Sequence, residues 1–360
     1  MTLAPVIDRD LTEPVSAPKA AAAAIRPRLG FLGVGWIGRN RMEAILNSGA
    51  ATVAAIADPC PAIIEKAAAL APQAVLADSL DGLLEAELDG VVIATPSALH
   101  AEQAVAALER GVAVFCQKPL GRDASETRRV IDAARFADRL LGVDLSYRFI
   151  EGVRRVHQLC RGGALGTVYA VDLVFHNAYG PDKPWFYDPR QSGGGCVIDL
   201  GIHLVDLALW NLGFPRIERV SSRLFTSGER VSGRSGLVED YAVARLDTES
   251  GATIQLACSW KLHAGREAVI SGAFHGIQGG AAFHNVNGSF YEFEAEQFRG
   301  THSTPLAKAS AGWGGRAAVD WTRRLAAGER FNPEIQSLTQ VADALDRIYT
   351  DARMERPHQP

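Results

Sequence analysis

The sequence predicts an α/β protein in two parts. The first is a doubly wound parallel sheet with helices on both faces, and the second an α+β part on an open, mostly antiparallel sheet. Three observations predict this. Short apolar runs alternate with helical patterns from Arg28 to Leu145, a Gly-x-Gly-x-x-Gly turn follows the first run, and alternation in steps of two takes over beyond Ile217.

The elements follow in order. Leu29-Gly30-Phe31-Leu32 reads as a strand, with a helix over Asn40–Asn47, a strand over Thr52–Ala57 and a helix over Ala62–Leu70. Ala74-Val75-Leu76 is a short strand, and Gly90–Thr95, with Val91-Val92-Ile93, a strand buried on both faces. Helices over Glu102–Arg110 and Ala124–Arg139 alternate with strands over Val112–Cys116 and Leu140–Leu145. Beyond Phe149 the rhythm changes: a helix over Val153–Cys160, a strand over Thr167–Phe175, a polar aromatic loop, and an apolar helix over Val197–Leu212. From Ile217 to about Phe293, runs such as Tyr241–Leu246 and Thr253–Ala257 alternate in period two between turn residues, as antiparallel strands with one solvated face do. Helices return over Val319–Ala326 and Pro333–Ala352. The expected organisation is a loose tail at 1–27, a first domain at 28–149, a second at 150–330 and a C-terminal helix and tail at 331–360.

Composition limits the function. The chain has 360 residues, a net charge of −4, 47% hydrophobic and 22% charged residues, so it has no electrostatic reason to seek nucleic acid or an anionic membrane. No apolar run reaches the roughly 18–20 residues that span a bilayer. The five cysteines stand singly, with no CxxC pair, and fit a reducing compartment. Residues 1–27 mix prolines and acids with Ala20–Ala24 and do not form a secretory signal, so the cytoplasm is the expected location.

Gly33-Val34-Gly35-Trp36-Ile37-Gly38 sits between a strand and a helix, where such a turn binds a pyrophosphate. Asp58 ends the second strand, 20 residues after Gly38, the offset at which an acid reaches a ribose 2′-hydroxyl. Its charge would repel a 2′-phosphate, so NAD is the expected cofactor, with Arg39 and Arg41 keeping NADP as the alternative. Thr95-Pro96-Ser97 and Gln117-Lys118-Pro119 follow later strands and should face the same crevice, since ligands sit at the carboxyl ends of strands. By position alone, Lys118 reads first as a solvated turn residue.

After Gly193-Gly194-Gly195, the apolar helix carries Asp199, His203 and Asp206 at spacings of four and three. This stripe reads equally as the wet face of an amphipathic helix or as a polar edge facing a cleft. In the second case Asp199 would orient the His203 imidazole. His203 has no HExxH or other close ligand set around it, so no metal is expected.

Together these pieces resemble the glucose–fructose oxidoreductase/inositol dehydrogenase (Gfo/Idh/MocA) family over about residues 28–350. The matching parts are the Gly33–Gly38 turn with Asp58, Ala94-Thr95-Pro96, Lys118-Pro119, Tyr147-Arg148-Phe149, and Ser192 through the glycines to Asp199 and His203. The resemblance implies a Rossmann domain followed by an open-sheet domain, through which family members commonly form homodimers or homotetramers. It also implies hydride transfer between nicotinamide and a hydroxyl of a sugar, inositol or sugar derivative, with Lys118, Asp199 and His203 as the catalytic trio. Gly33, Gly35, Trp36, Ile37, Gly38, Asp58, Thr95, Pro96, Ser97, His100, Gln117 and Lys118 would hold the cofactor. One departure stands out: the family usually places Glu where this chain has Gln117, removing one stabiliser of protonated Lys118. Other functions compatible with the resemblance are a redox-neutral, NAD-dependent glycosidase and a non-catalytic cofactor or sugar sensor.

The aromatic loop from Tyr179 to Arg190 suits a sugar ring, stacking its apolar face and hydrogen-bonding its hydroxyls. Trp185 and Tyr187 from this loop, with Tyr147, Arg148 and His176, are the expected substrate wall beside Lys118, Asp199 and His203.

Overall fold

A computed structural model of the chain describes residues 26–231, 236–310 and 314–353. The expected tail at 1–27 lies outside these up to residue 25. The first unit runs β1 (Arg28–Leu32), α1 (Trp36–Ser48), β2 (Thr52–Ala57), α2 (Pro61–Ala68), β3 (Val75–Ala77), α3 (Leu80–Leu84), β4 (Gly90–Ile93), α4 (Ser97–Glu109), β5 (Ala113–Cys116), α5 (Ala124–Ala137) and β6 (Leu141–Val143). All strand pairs are parallel, in the order β3-β2-β1-β4-β5-β6. The order reverses between β1 and β4, which opens a crevice at their carboxyl ends. Every residue of β4 and β5 is buried, as their unbroken apolar sequences require.

Two helices start earlier than the sequence predicts. α1 begins at Trp36 rather than Asn40, and α4 at Ser97 rather than Glu102. Their first turns face the crevice and carry no core-facing apolar periodicity, so the pattern concealed them. Both helix N-termini therefore stand at the ligand side.

The second unit comprises α6 (Glu151–Arg161), β7 (Val168–Asn177), a single turn α7 (Pro189–Ser192), a π-helical segment (Val197–Gly201), α8 (Ile202–Leu212), β8 (Ile217–Thr226), β9 (Glu229–Val231), β10 (Tyr241–Thr248), β11 (Thr253–Ser259), β12 (Ala268–Gly276), β13 (Gly279–Asn285), β14 (Phe293–Arg299) and β15 (His302–Ser310). The strands form a nine-stranded sheet ordered β15-β14-β13-β12-β7-β11-β10-β8-β9. Only β7 and β11 run parallel. The sheet extends past Phe293, where the sequence pattern fades: β15 is an edge strand with Pro305 inside it, and edges tolerate proline. The helical stretch Pro189–Leu212 contains an 18-residue window of mean hydropathy 1.4, enough by length and composition to cross a bilayer. It is the core helix of this unit instead, with 83% of its most apolar window buried.

The expected domain boundary at 330 needs correction. α9 (Arg316–Ala326) returns to the first unit, where Trp321 is buried against Leu29, Phe31 and Phe115 with its ring 5.7 Å from that of Phe115. α10 (Ser337–Arg353) bridges the two units. Its Val341, Leu345, Ile348 and Tyr349 join the second core, and its Leu338 the first.

Candidate active site

A cleft of about 460 Å³ runs between the two units. The glycine turn forms one end. Gly33 has φ +81°, and a Cβ there would stand 2.7 Å from Ala94 O, while at Gly38 it would stand 2.0 Å from Gly33 O. At Gly35 a Cβ would meet nothing within 4 Å, and that open space belongs to the cleft. α1 starts there with no side chain capping its amides. Tight packing behind the turn and open space with free amides in front of it fit a dinucleotide pyrophosphate.

Of the expected site residues, Gly35, Trp36, Ile37, Gly38, Thr95, Pro96, Ser97, His100, Gln117, Lys118, Trp185 and Asp199 line this cleft. His100 is buried, and its ring nitrogens lie 2.7 Å from both Thr95 O and Pro119 O, so it ties together the loops after β4 and β5. Burial lowers its pKa, opposed by the two carbonyl contacts, which favour the protonated ring. Asp58 lies behind the turn: its Oδ2 accepts from Val34 N at 2.9 Å and its Oδ1 from Cys60 N at 2.9 Å. Arg41, an expected 2′-phosphate partner, is buried in an ion pair with Asp144 at 2.6 Å, which removes it from that role. Arg39 and Lys66 line the cleft at this end instead.

At the other end, Lys118 Nζ donates to Asp199 Oδ1 at 2.6 Å and to Asp199 O at 2.7 Å, joining the units across the cleft. The second Asp199 oxygen accepts from Trp260 Nε1 at 3.0 Å. Asp199 therefore fixes Lys118, and the expectation that it orients His203 is corrected. Asp199 lies in the π-helical segment, where Ile202 N reaches back five residues to Val197 O. π-helical turns recur at functional sites. The polar stripe is thus not one wet face: all three residues are half-buried or buried, and each has a different environment. His203 is buried, its ring 4.7 Å from that of Tyr147 and 6.4 Å from that of Phe175. Burial, then the charges of Lys118 and Arg41, hold its pKa well below the ordinary imidazole value. Burial likewise pushes the Tyr147 phenol up.

Part of the expected substrate wall is corrected. Arg148 holds Asp206 through two bonds, at 2.8 and 2.5 Å, and lies over Trp210, outside the cleft. His176 bonds Ser259 Oγ at 2.8 Å, and Tyr187 donates to Pro181 O at 3.1 Å. Neither of these lines the cleft. Trp185 and Phe186 do, stacked 3.8 Å apart, and Phe186 and Tyr187 present edges to Trp260.

Sequence reasoning missed two supports. Trp260 stands just past β11, and an aromatic residue at a strand end beside the π-helical segment was the only signal. Glu239 is buried, and its Oε1 accepts from Gly195 N (3.0 Å), Val197 N (2.9 Å) and Tyr349 Oη (2.7 Å). It thus anchors the backbone that carries Asp199. The glycines allow this: a Cβ on Gly195 would stand 2.0 Å from Glu239 O, and one on Gly194 2.0 Å from Tyr349 Oη. The close approach these glycines permit is therefore to the protein's own backbone and side chains.

A turn shaped for a dinucleotide and a lysine–carboxylate pair thus share one cleft between the two units. Two family models match the chain, the oxidoreductase family NAD-binding Rossmann fold over residues 27–145 and the GFO/IDH/MocA C-terminal domain over 153–281. The chain belongs to the Gfo/Idh/MocA family of NAD-binding oxidoreductases. It is 28% identical over 236 residues to D-glucoside 3-dehydrogenase of Escherichia coli (strain K12), covering 62% of this chain and 67% of that one. It is 31% identical over 227 residues to inositol 2-dehydrogenase of Rhodococcus erythropolis (strain PR4), covering 62% of each. The chain thus spans about two thirds or less of these relatives' lengths. Among solved structures, levoglucosan dehydrogenase in complex with NADH superposes with a TM-score of 0.77 at 21% identity, over 91% of this chain and 97% of that one, a likeness of fold.

Proposed function

We propose that this protein is a dehydrogenase that oxidises a secondary hydroxyl of a sugar, inositol or sugar derivative, with NAD as its cofactor. The observation that carries this reading is the Lys118–Asp199 pair at the inner end of the cleft, opposite the glycine turn. The cleft suits the cofactor because its turn leaves room only where a pyrophosphate would lie. When bound, the nicotinamide supplies the hydride acceptor.

Lys118 has three N–H donors, two of them engaged by Asp199, and the third is available to a substrate oxygen. Its charge stabilises negative charge developing on that oxygen. Asp199, held by Trp260, keeps the ammonium in place. His203 stays neutral in its buried setting and is the acceptor assigned to the hydroxyl proton, although its ring packs on Tyr147 and it is not among the cleft-lining residues. Trp185 and Phe186 offer stacked rings to the apolar face of a sugar. The same reading places the enzyme in the cytoplasm and pairs its copies through the open nine-stranded sheet.

Replacing His203 by alanine tests the proton transfer. The expected result is a fall in turnover of about 10²–10⁴-fold with NAD affinity by calorimetry unchanged. Unchanged turnover would remove His203 from this role.

A further inference from the structure

Behind the lysine loop lies a buried ion pair that the catalytic reading leaves unused. Asp144, one residue past β6, has its carboxylate fully enclosed. Its Oδ2 accepts from Arg41 Nε at 2.6 Å and from Gln117 Nε2 at 2.9 Å, and its Oδ1 accepts from the Ser146 hydroxyl. Arg41, from α1, also donates to Ser146 Oγ at 3.2 Å and to Asn40 Oδ1 at 2.7 Å. The other end of the Gln117 amide accepts from Lys118 N at 2.8 Å. One continuous chain of contacts therefore leads from the helix of the glycine turn, through Arg41, Asp144 and Gln117, to the backbone of Lys118.

Charge and donor count dictate an uncharged residue at 117. Arg41 and Asp144 already balance. A glutamate at 117 would set a second carboxylate against Asp144, in a space whose one cation is shared, and like charges at that separation oppose ionisation. A carboxylate also has no N–H to give Asp144, so the orientation that presents Oε1 to Lys118 would be lost.

We propose that Asp144 is a positioning residue for Lys118: paired with Arg41, it fixes the Gln117 amide, which in turn fixes the lysine backbone, and the acid at 144 and the amide at 117 form one matched pair. This rests on the reading that Lys118 holds the reacting oxygen.

Four proteins test it: wild type, Gln117→Glu, Asp144→Asn, and the exchange variant carrying both changes. The exchange keeps one carboxylate and one amide across the same contact. Each single change is expected to lower kcat by about tenfold or more with KM for NAD moved less, as coupled neighbours do, and to lower the melting temperature. The exchange variant is expected to recover most of both. Kinetics use NAD with the fastest substrate from a panel of inositols, aldoses, sugar acids and glycosides, while melting carries the same test with no substrate. Should Gln117→Glu fail to fold, a folded exchange variant still supports the matched pair. Wild-type behaviour of Gln117→Glu, or an exchange variant as impaired as both singles combined, would overturn it. Lys118→Ala, assayed alongside, separates the two claims. Retained turnover there defeats the catalytic reading, whereas lost turnover with no recovery in the exchange variant defeats only the pairing.

Discussion

Glu239→Ala removes the anchor under the π-helical segment, and its cost follows from the contacts. One buried oxygen accepts from the amides of Gly195 and Val197 and from the Tyr349 hydroxyl. Alanine leaves the two enclosed amides of Gly195 and Val197 without this acceptor, each costing about 1–3 kcal/mol, so the loss is at least about 2 kcal/mol. For a domain of this size that corresponds to a fall in melting temperature of roughly 4–8 °C. Glu239→Gln keeps an oxygen for all three donors and should melt close to wild type at neutral pH. The pH dependence has a definite sign. Burial raises the Glu239 pKa in the folded protein, so the ionised group costs stability at neutral pH, and the cost disappears as pH falls through the raised value towards that of the unfolded chain. Wild type should therefore gain on Glu239→Gln as pH is lowered from 7 to about 4. Thermal melts of the three proteins by circular dichroism at several pH values measure this. An alanine variant within about 2 °C of wild type, or a glutamine variant as weak as the alanine one, would refute the reasoning.

Other consequences follow from the same contacts. Trp260→Phe keeps the ring but deletes its bond to Asp199; a hydrogen bond to a charged group contributes about 1.5–3 kcal/mol, so kcat should fall by roughly tenfold or more, and wild-type turnover would show that Asp199 needs no second tether. Because burial and the charges of Lys118 and Arg41 lower the His203 pKa, the imidazole stays unprotonated below the ordinary histidine range. The acidic limb of kcat against pH should accordingly lie below 6.5, and an inflection above that value would contradict the account. Asp58→Ala removes negative charge behind the ribose end and should narrow the preference for NAD over NADP in cofactor titrations; equal affinity losses for both would make Asp58 a brace for the turn alone.

The legible parts of the sequence were those whose causes are local. Unbroken apolar runs marked β4 and β5 because a strand covered on both faces has no polar side. The glycine turn could be located because chain order and strand ends determine what meets at a crevice, whereas Lys118 and Asp199 were singled out by the family resemblance, their positions alone leaving the choice open. Long-range features left no such trace. Nothing near Trp321 shows that α9 returns to the first sheet, since its apolar face would serve either core equally well. Glu239 reads as a loop acid until the amides of Gly195 and Val197, 44 and 42 residues upstream, are found to depend on it. The spacing of Asp199, His203 and Asp206 suggested a single polar face, but each met a different partner, Lys118, the Tyr147 ring and Arg148, because the neighbouring elements decide what each side chain reaches.

The central claim is that the Lys118–Asp199 cleft oxidises a sugar or polyol hydroxyl with NAD. The most direct test is NADH formation by wild type and Lys118→Ala across inositols, aldoses, sugar acids and glycosides. The account predicts NADH from one class of these compounds with wild type, and its loss in the variant while NAD still binds. NADH formed equally by both proteins, or no NADH from any compound despite tight NAD binding, would contradict it.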